Sequence, residues 1–166
     1  MKLKAPILWG LIALPLALIG IFLALRDSTP NVNVEACAAA RAAWSQRGIA
    51  DYTVAVLKEA DTLGSERFVT DVRNGRATAV TLDGAPLPAT DTYSVAGLFD
   101  TIERELEMAA SAVKEPGQPE DTLLKARFHD KLGLPLVFKR LTPNGQSFLL
   151  SIEEFRADGR GVLYTH

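Results

Sequence analysis

One cysteine and two histidines are all that this 166-residue chain carries of the side chains that most often ligate transition metals or form nucleophile–base pairs. With Cys37 alone, an intramolecular disulfide is impossible. Cys37, His129 and His166 are too few for a zinc site of the usual spacing. The chain contains no G-x-S-x-G, H-E-x-x-H, Walker-type or G-x-G-x-x-G sequence, so no catalytic or cofactor motif stands out. Neither sign of charge dominates, with 18 Lys and Arg against 20 Asp and Glu, a net −2. Basic residues nowhere form a run of four. Such a chain has no long-range pull on a polyanion, and nucleic acid is not an expected partner.

What the sequence does have is uneven. Hydrophobic residues make up 48% and charged residues 23%, which suits a folded domain rather than a disordered one. Part of that hydrophobicity is concentrated in Ala5 to Leu25, which contains no charge and follows Lys2 and Lys4. At 1.5 Å per residue this run spans about 30 Å, the thickness of a bilayer's hydrocarbon core. It is longer than the usual apolar region of a cleaved signal, and Leu23-Ala24-Leu25-Arg26-Asp27 has no A-x-A cleavage pattern, which favours an uncleaved anchor, with a cleaved signal as the alternative. Pro6, Pro15, Gly10 and Gly20 are tolerated in a spanning helix.

The expectation is therefore an N-terminal anchor over 1–27 that crosses the cytoplasmic membrane through residues 5–25. A linker over 28–34 and one extracytoplasmic domain over 35–166 follow. Lys2 and Lys4 place the N-terminus inside, against a single opposing Arg26. Without its leader the chain carries 16 basic and 20 acidic residues, or −4. Cys37 lies beyond the apolar run without a lipoprotein signature before it. It reads as a small apolar helix residue, with an intermolecular disulfide as the alternative.

The exported part reads as helix, three strands, helix, and two or three strands. Glu35 to Arg47 is Ala-rich, with Cys37, Ala40 and Trp44 along one face and Gly48 as its stop. Asp51 to Glu59 alternates, with Tyr52, Val54 and Val56 on one side. Glu66 to Arg73 forms the next strand. Asn74-Gly75 predicts a hairpin that sets Val72 opposite Ala77, Val69 opposite Val80 and Arg73 opposite Arg76. Gly84 to Asp91 reads as a loop.

Ser94 is a good N-cap for a second helix, and Tyr93 and Leu98 are placed for a hydrophobic staple across it. Val95, Leu98, Phe99, Ile102 and Leu106 form its apolar stripe. Asp100, Glu103 and Glu107 form a solvated acidic stripe, with Asp100 able to pair with Arg104. Thr122 to Asp130, Leu136 to Leu141 and Gln146 to Phe155 are further strands, with Phe148, Leu150 and Ile152 inward, and the tail to His166 extends them. The expected fold is α+β: an antiparallel sheet of about five to six strands covered by two helices, in the order α-β-β-β-α-β-β-β.

His129-Asp130 is the one adjacent acid–base pair. On a strand the two would point to opposite faces, with His129 exposed beside Lys125 and Arg127. Glu153 and Glu154 could face a cleft, although exposed carboxylates are commoner on strands.

The series Trp44, Gly48-Ile49, Asp51-Tyr52, Asn74-Gly75, Leu98-Phe99 with Ile102, and Asp130…Gly133-x-Pro135 resembles an uncharacterised bacterial family. That family is catalogued as a domain of unknown function (number 6174) and comprises small exported or lipid-anchored envelope proteins. The resemblance covers about residues 35–157 and implies fold and location, not an activity. The chain departs from the pattern in two places. Lys58 to Ser65 contains no cysteine pair, and His129 stands where a tyrosine is usual. In this chain Trp44 and Tyr52 read as anchors between helix and sheet, Gly133 as a positive-φ residue, Pro135 as a rigid strand entry, and Asp130 as an acceptor for its own turn.

The functional expectation is a membrane-anchored, non-catalytic interaction domain of the bacterial envelope, with another envelope protein as partner. Neither catalytic residues nor a metal or cofactor are expected. The alternatives are a carrier or sensor of a small apolar ligand, and a hydrolase with an unrecognised site.

Overall fold

A computed structural model describes residues 28–61, 64–111, 122–142, 145–158 and 161–165. Among these, no helix is long and apolar enough to cross a membrane, and the expected span over 5–25 lies outside them. The described chain is α+β, with two helices and one antiparallel sheet. The sheet has eight strands, two more than the upper expectation.

Helix α1, Val34–Ser45, is capped by Asn33, whose side chain accepts from the Ala36 amide at 2.8 Å. Strands β1 (Tyr52–Ala60), β2 (Gly64–Arg73), β3 (Arg76–Leu82) and β4 (Ala85–Leu87) follow as a meander. A single 3-10 turn at Asp91–Tyr93 leads into α2, Val95–Ser111. The last four strands are β5 (Leu123–Phe128), β6 (Pro135–Leu141), β7 (Phe148–Ala157) and β8 (Gly161–Thr165). In space the order is β4-β3-β2-β1-β7-β6-β5, so β7 joins the two meanders by pairing with β1.

The other edge of β7 is shared. Phe148 to Ser151 pair with β6, and Glu154 to Ala157 pair with β8. Strand β4, expected as loop, exists because Asp83-Gly84, both at positive φ, make a second tight turn.

Of the four register shifts among the described strands, those on β3 and β7 set which side chains of these strands face inward. Asn74-Gly75 turns β2 into β3, with Val72 opposite Ala77 and Arg73 opposite Arg76 as expected. Arg73 also reaches Asp158 at 3.2 Å, which offsets the repulsion. Beyond Asp71 the register slips, with Thr78 the extra residue. Val80 therefore meets Thr70, and Val69 meets Thr81, which corrects the expected Val69–Val80 pair. On β7, Ala55 pairs with Glu154 and Val56 with Ile152, leaving Glu153 as the extra residue. Leu150 and Ile152 face the core before it, Phe155 and Ala157 after it.

Both helices lie over one face of this sheet. Phe99, Ile102, Leu134, Phe138, Ile152 and Phe155 are fully buried between the layers. Trp44 of α1 packs edge-on against Tyr52 and Phe155, with ring centroids 5.6 and 5.5 Å away. Tyr52 also accepts a hydrogen bond from the Val95 amide at 3.2 Å, so a strand residue satisfies the first turn of α2. Ser94 caps that turn as expected, its hydroxyl accepting from the Gly97 amide at 3.1 Å. Tyr93 stacks on Phe68 at 3.6 Å.

The segment expected as a linker is not free. The Val32 amide donates to Leu124 O at 3.0 Å, and the Ala126 amide donates to Pro30 O at 3.1 Å. Residues 30–32 thus form a strap antiparallel to the outer edge of β5, bridged through Asn31 and Lys125. Its direction means that the chain enters the domain from the Arg127 end of β5.

Candidate binding groove

Past Phe128 the chain leaves β5 in a turn organised by its own backbone. The His129 amide donates to Leu134 O, and the Gly133 amide donates to His129 O, both at 2.8 Å. Gly133 has a φ of +75° and sits against α1, where an added Cβ would lie 2.3 Å from Ala40 O. Only glycine fits both the dihedral and the space. Arg47, just past α1, donates to Lys131 O and holds the turn from the other side.

His129 is not on a strand face, which corrects the sequence expectation. It lies one residue past β5, half-buried, with Nδ1 accepting from the amides of Lys131 at 3.1 Å and Leu132 at 3.3 Å. An accepting Nδ1 places the ring proton on Nε2 of a neutral imidazole. The ring meets Tyr164 of β8 edge-on, with centroids 6.3 Å apart. The acceptor role expected of Asp130 is thus filled by His129, and Asp130 is exposed. The pattern expected of a strand had hidden this, because alternation continues through His129 while the hydrogen bonding does not.

Between this turn and β8 runs an open groove of about 720 Å³. Phe128, Leu132, Leu136 and Tyr164 give it apolar walls, and Arg127, His129, Asp130 and Lys131 give it a polar rim. A second, smaller groove of about 490 Å³ lies between β1, β6 and the start of β7, beside Lys139, Leu141 and Leu149. Both are open to solvent rather than sunk into the core.

The remaining candidates are engaged elsewhere. Cys37 is buried, and burial, reinforced by Glu103 and opposed by Arg41, raises its thiol to about 11. It remains a protonated, unreactive thiol at neutral pH. Asp100 and Glu103 of the acidic stripe bind Arg41 of α1 at 2.8 and 2.6 Å, which replaces the expected Asp100–Arg104 pair. The Arg41 guanidinium also lies 5.8 Å from the centroid of the Phe99 ring. Glu153 pairs with Arg67 at 2.6 Å, and Glu154 with Arg156. Among the described residues no cluster of His, Cys, Asp or Glu could hold a metal ion.

These features define, among the described residues, an α+β domain with an open groove beside the 129–134 turn and β8. The chain matches no family model and no curated protein.

Proposed function

We propose that this chain is a membrane-anchored binding protein of the bacterial envelope, tethered through residues 5–25, and that the groove between the 129–134 turn and β8 recognises its partner. The observation that carries this reading is the groove itself, which sets apolar walls beneath a polar rim of two cations, one carboxylate and one imidazole. That combination suits recognition of a polypeptide surface. The chemistry of His129 supports binding over acid–base work. Its Nδ1 serves two backbone amides, and among the described residues it has no hydrogen bond to a carboxylate that would orient it as a base.

The strap supports the tethered reading, because it brings the chain in at the groove end of the domain. A tether confines the groove near other envelope proteins and raises their effective concentration, so weak contacts suffice. The resemblance to small exported envelope proteins, carried by Trp44, Tyr52 and Gly133-x-Pro135, points to the same compartment.

The test is the pair of substitutions His129→Asn and Asp130→Asn in one chain, scored by complementation of the deletion phenotype. An Asn side-chain oxygen can take over the acceptor role of Nδ1, so the turn is kept while both ionisable groups are removed. Full complementation is expected. A folded variant that still crosslinks to the partner of the wild-type chain but fails to complement would put the hydrolase reading in its place.

A further inference from the structure

The sheet has three outer edges among the described residues, and two of them are guarded. Strand β4 is three residues long and contains Pro86, which has no amide to donate. The outer edge of β5 is occupied by the strap at Pro30 to Val32. Strand β8 has neither protection. It pairs with β7 along one side, and among the described residues its other side makes no backbone hydrogen bond. It is five residues long, contains no proline, and leaves Val162 51% exposed. Five residues suffice for a stable ladder with one more strand. The ladder with β7 shifts register between Phe155 and Arg156, which bends β8, but the strand keeps an unpaired edge, and such an edge is a template for an added strand.

The groove meets this strand at Tyr164, the one β8 residue in its lining among the described residues. An extended segment laid beside β8 would satisfy the edge with its main chain and send alternate side chains into the groove. There it would meet the walls formed by Tyr164 and Leu132 and a rim whose charge is biased. Arg127 and Lys131 are exposed cations and Asp130 the one acidic residue of the lining, while Arg47 adds a further cation behind the turn. This bias stands out against a chain that is net acidic. We infer that β8 is a strand-addition site for an extended segment of a partner protein, alternating apolar and acidic side chains. This deepens the binding reading above and rests on it.

The experiment uses the full-length chain in nanodiscs of zwitterionic lipid. The probes are a short acetylated peptide alternating Glu with Val, its counterpart alternating Lys with Val, and the Glu peptide with prolines at alternate positions. Amide hydrogen exchange of residues 161–165 is followed by NMR. The Glu peptide is expected to slow exchange along β8, with the Lys and proline peptides binding at least about tenfold more weakly. Arg127→Glu with Lys131→Glu, both exposed and therefore compatible with folding, should reverse the preference toward the Lys peptide. Three outcomes overturn strand addition by an acidic segment: no difference between Glu and Lys peptides, equal binding of the proline peptide, or protection without peptide of the β8 amides that do not donate to β7. In the last case, dependence on protein concentration would assign the edge to a second copy, and dependence on anionic lipid would assign it to the membrane surface.

Complementation by the charge-reversed variant separates this proposal from the reading beneath it. If no peptide binds β8 but the reversal abolishes complementation, strand addition fails and the groove remains a binding site. If the reversal leaves complementation intact, the groove is not the recognition surface and both fail.

Discussion

Trp44 shows how one side chain ties the layers of this fold together. Its ring meets Tyr52 and Phe155 edge-on, and the Tyr52 hydroxyl reaches the start of α2, so three elements converge on one aromatic group. Trp44→Ala is expected to cost about 2–3 kcal/mol, measured by urea denaturation, below the range for a fully buried large aromatic because the ring is only partly buried. Unchanged stability would contradict its role as an anchor. Cys37 yields a second expectation. Its thiol titrates near 11 in the folded chain against an ordinary 9.0, and burial raises Tyr52 and Tyr93 above 10.0 in the same sense. Between these values the unfolded chain releases protons that the folded chain keeps. Stability is therefore full below about pH 9 and falls as pH rises toward 11. Denaturation midpoints across that range should drop, and alkylation of Cys37 at pH 8 should proceed only at the rate of unfolding. Trp44, Tyr52 and Phe99 were legible in the sequence because each sits on an apolar stripe. His129 was not, because its role is set by amides that close a turn, and hydrogen bonding of that kind leaves no periodic trace.

The elements divide along the same line. Both helices and the β2–β3 hairpin were readable, from the Ser94 cap, the stripe Val95 to Leu106 and the Asn74-Gly75 turn. The bulges at Thr78 and Glu153 were not, since an inserted residue changes the phase of a strand without changing its composition. Nor was the partner of Arg41, whose two carboxylates lie about sixty positions away in the chain. The strap at Pro30 to Val32 was also hidden, because polar residues around a proline look alike whether docked or free. Its contribution is measurable. Val32→Pro removes the amide that donates to Leu124 O and is expected to cost about 1–3 kcal/mol. Amide exchange at Ala126, which donates to Pro30 O, should quicken in the same variant. Unaltered exchange there would show that the strap is not what protects β5.

For the chain as a whole, the tethered reading makes a topological prediction. A C-terminal reporter active only outside the cytoplasm should be active, and the protein should fractionate with the membrane. An active cytoplasmic reporter would reverse the orientation, and recovery of the domain in the soluble extracytoplasmic fraction would replace the anchor with a cleaved signal. The α+β class was readable from alternation and turn signals, whereas the groove was not. It is assembled from β5, the 129–134 turn and β8, which meet only because β7 divides one edge between β6 and β8. The strap has one more consequence, for distance. On the tethered reading, residues 30–32 docked on β5 add nothing to the separation between membrane and domain. Peeled away and extended, the same three residues would add roughly 10 Å at about 3.3–3.6 Å each. That is most of the radius of gyration of a domain this size, about 14 Å. If residues 5–25 are the proposed tether, the strap is a folded-up length of leash, and whatever competes with it for the edge of β5 sets how far from the bilayer the domain can reach.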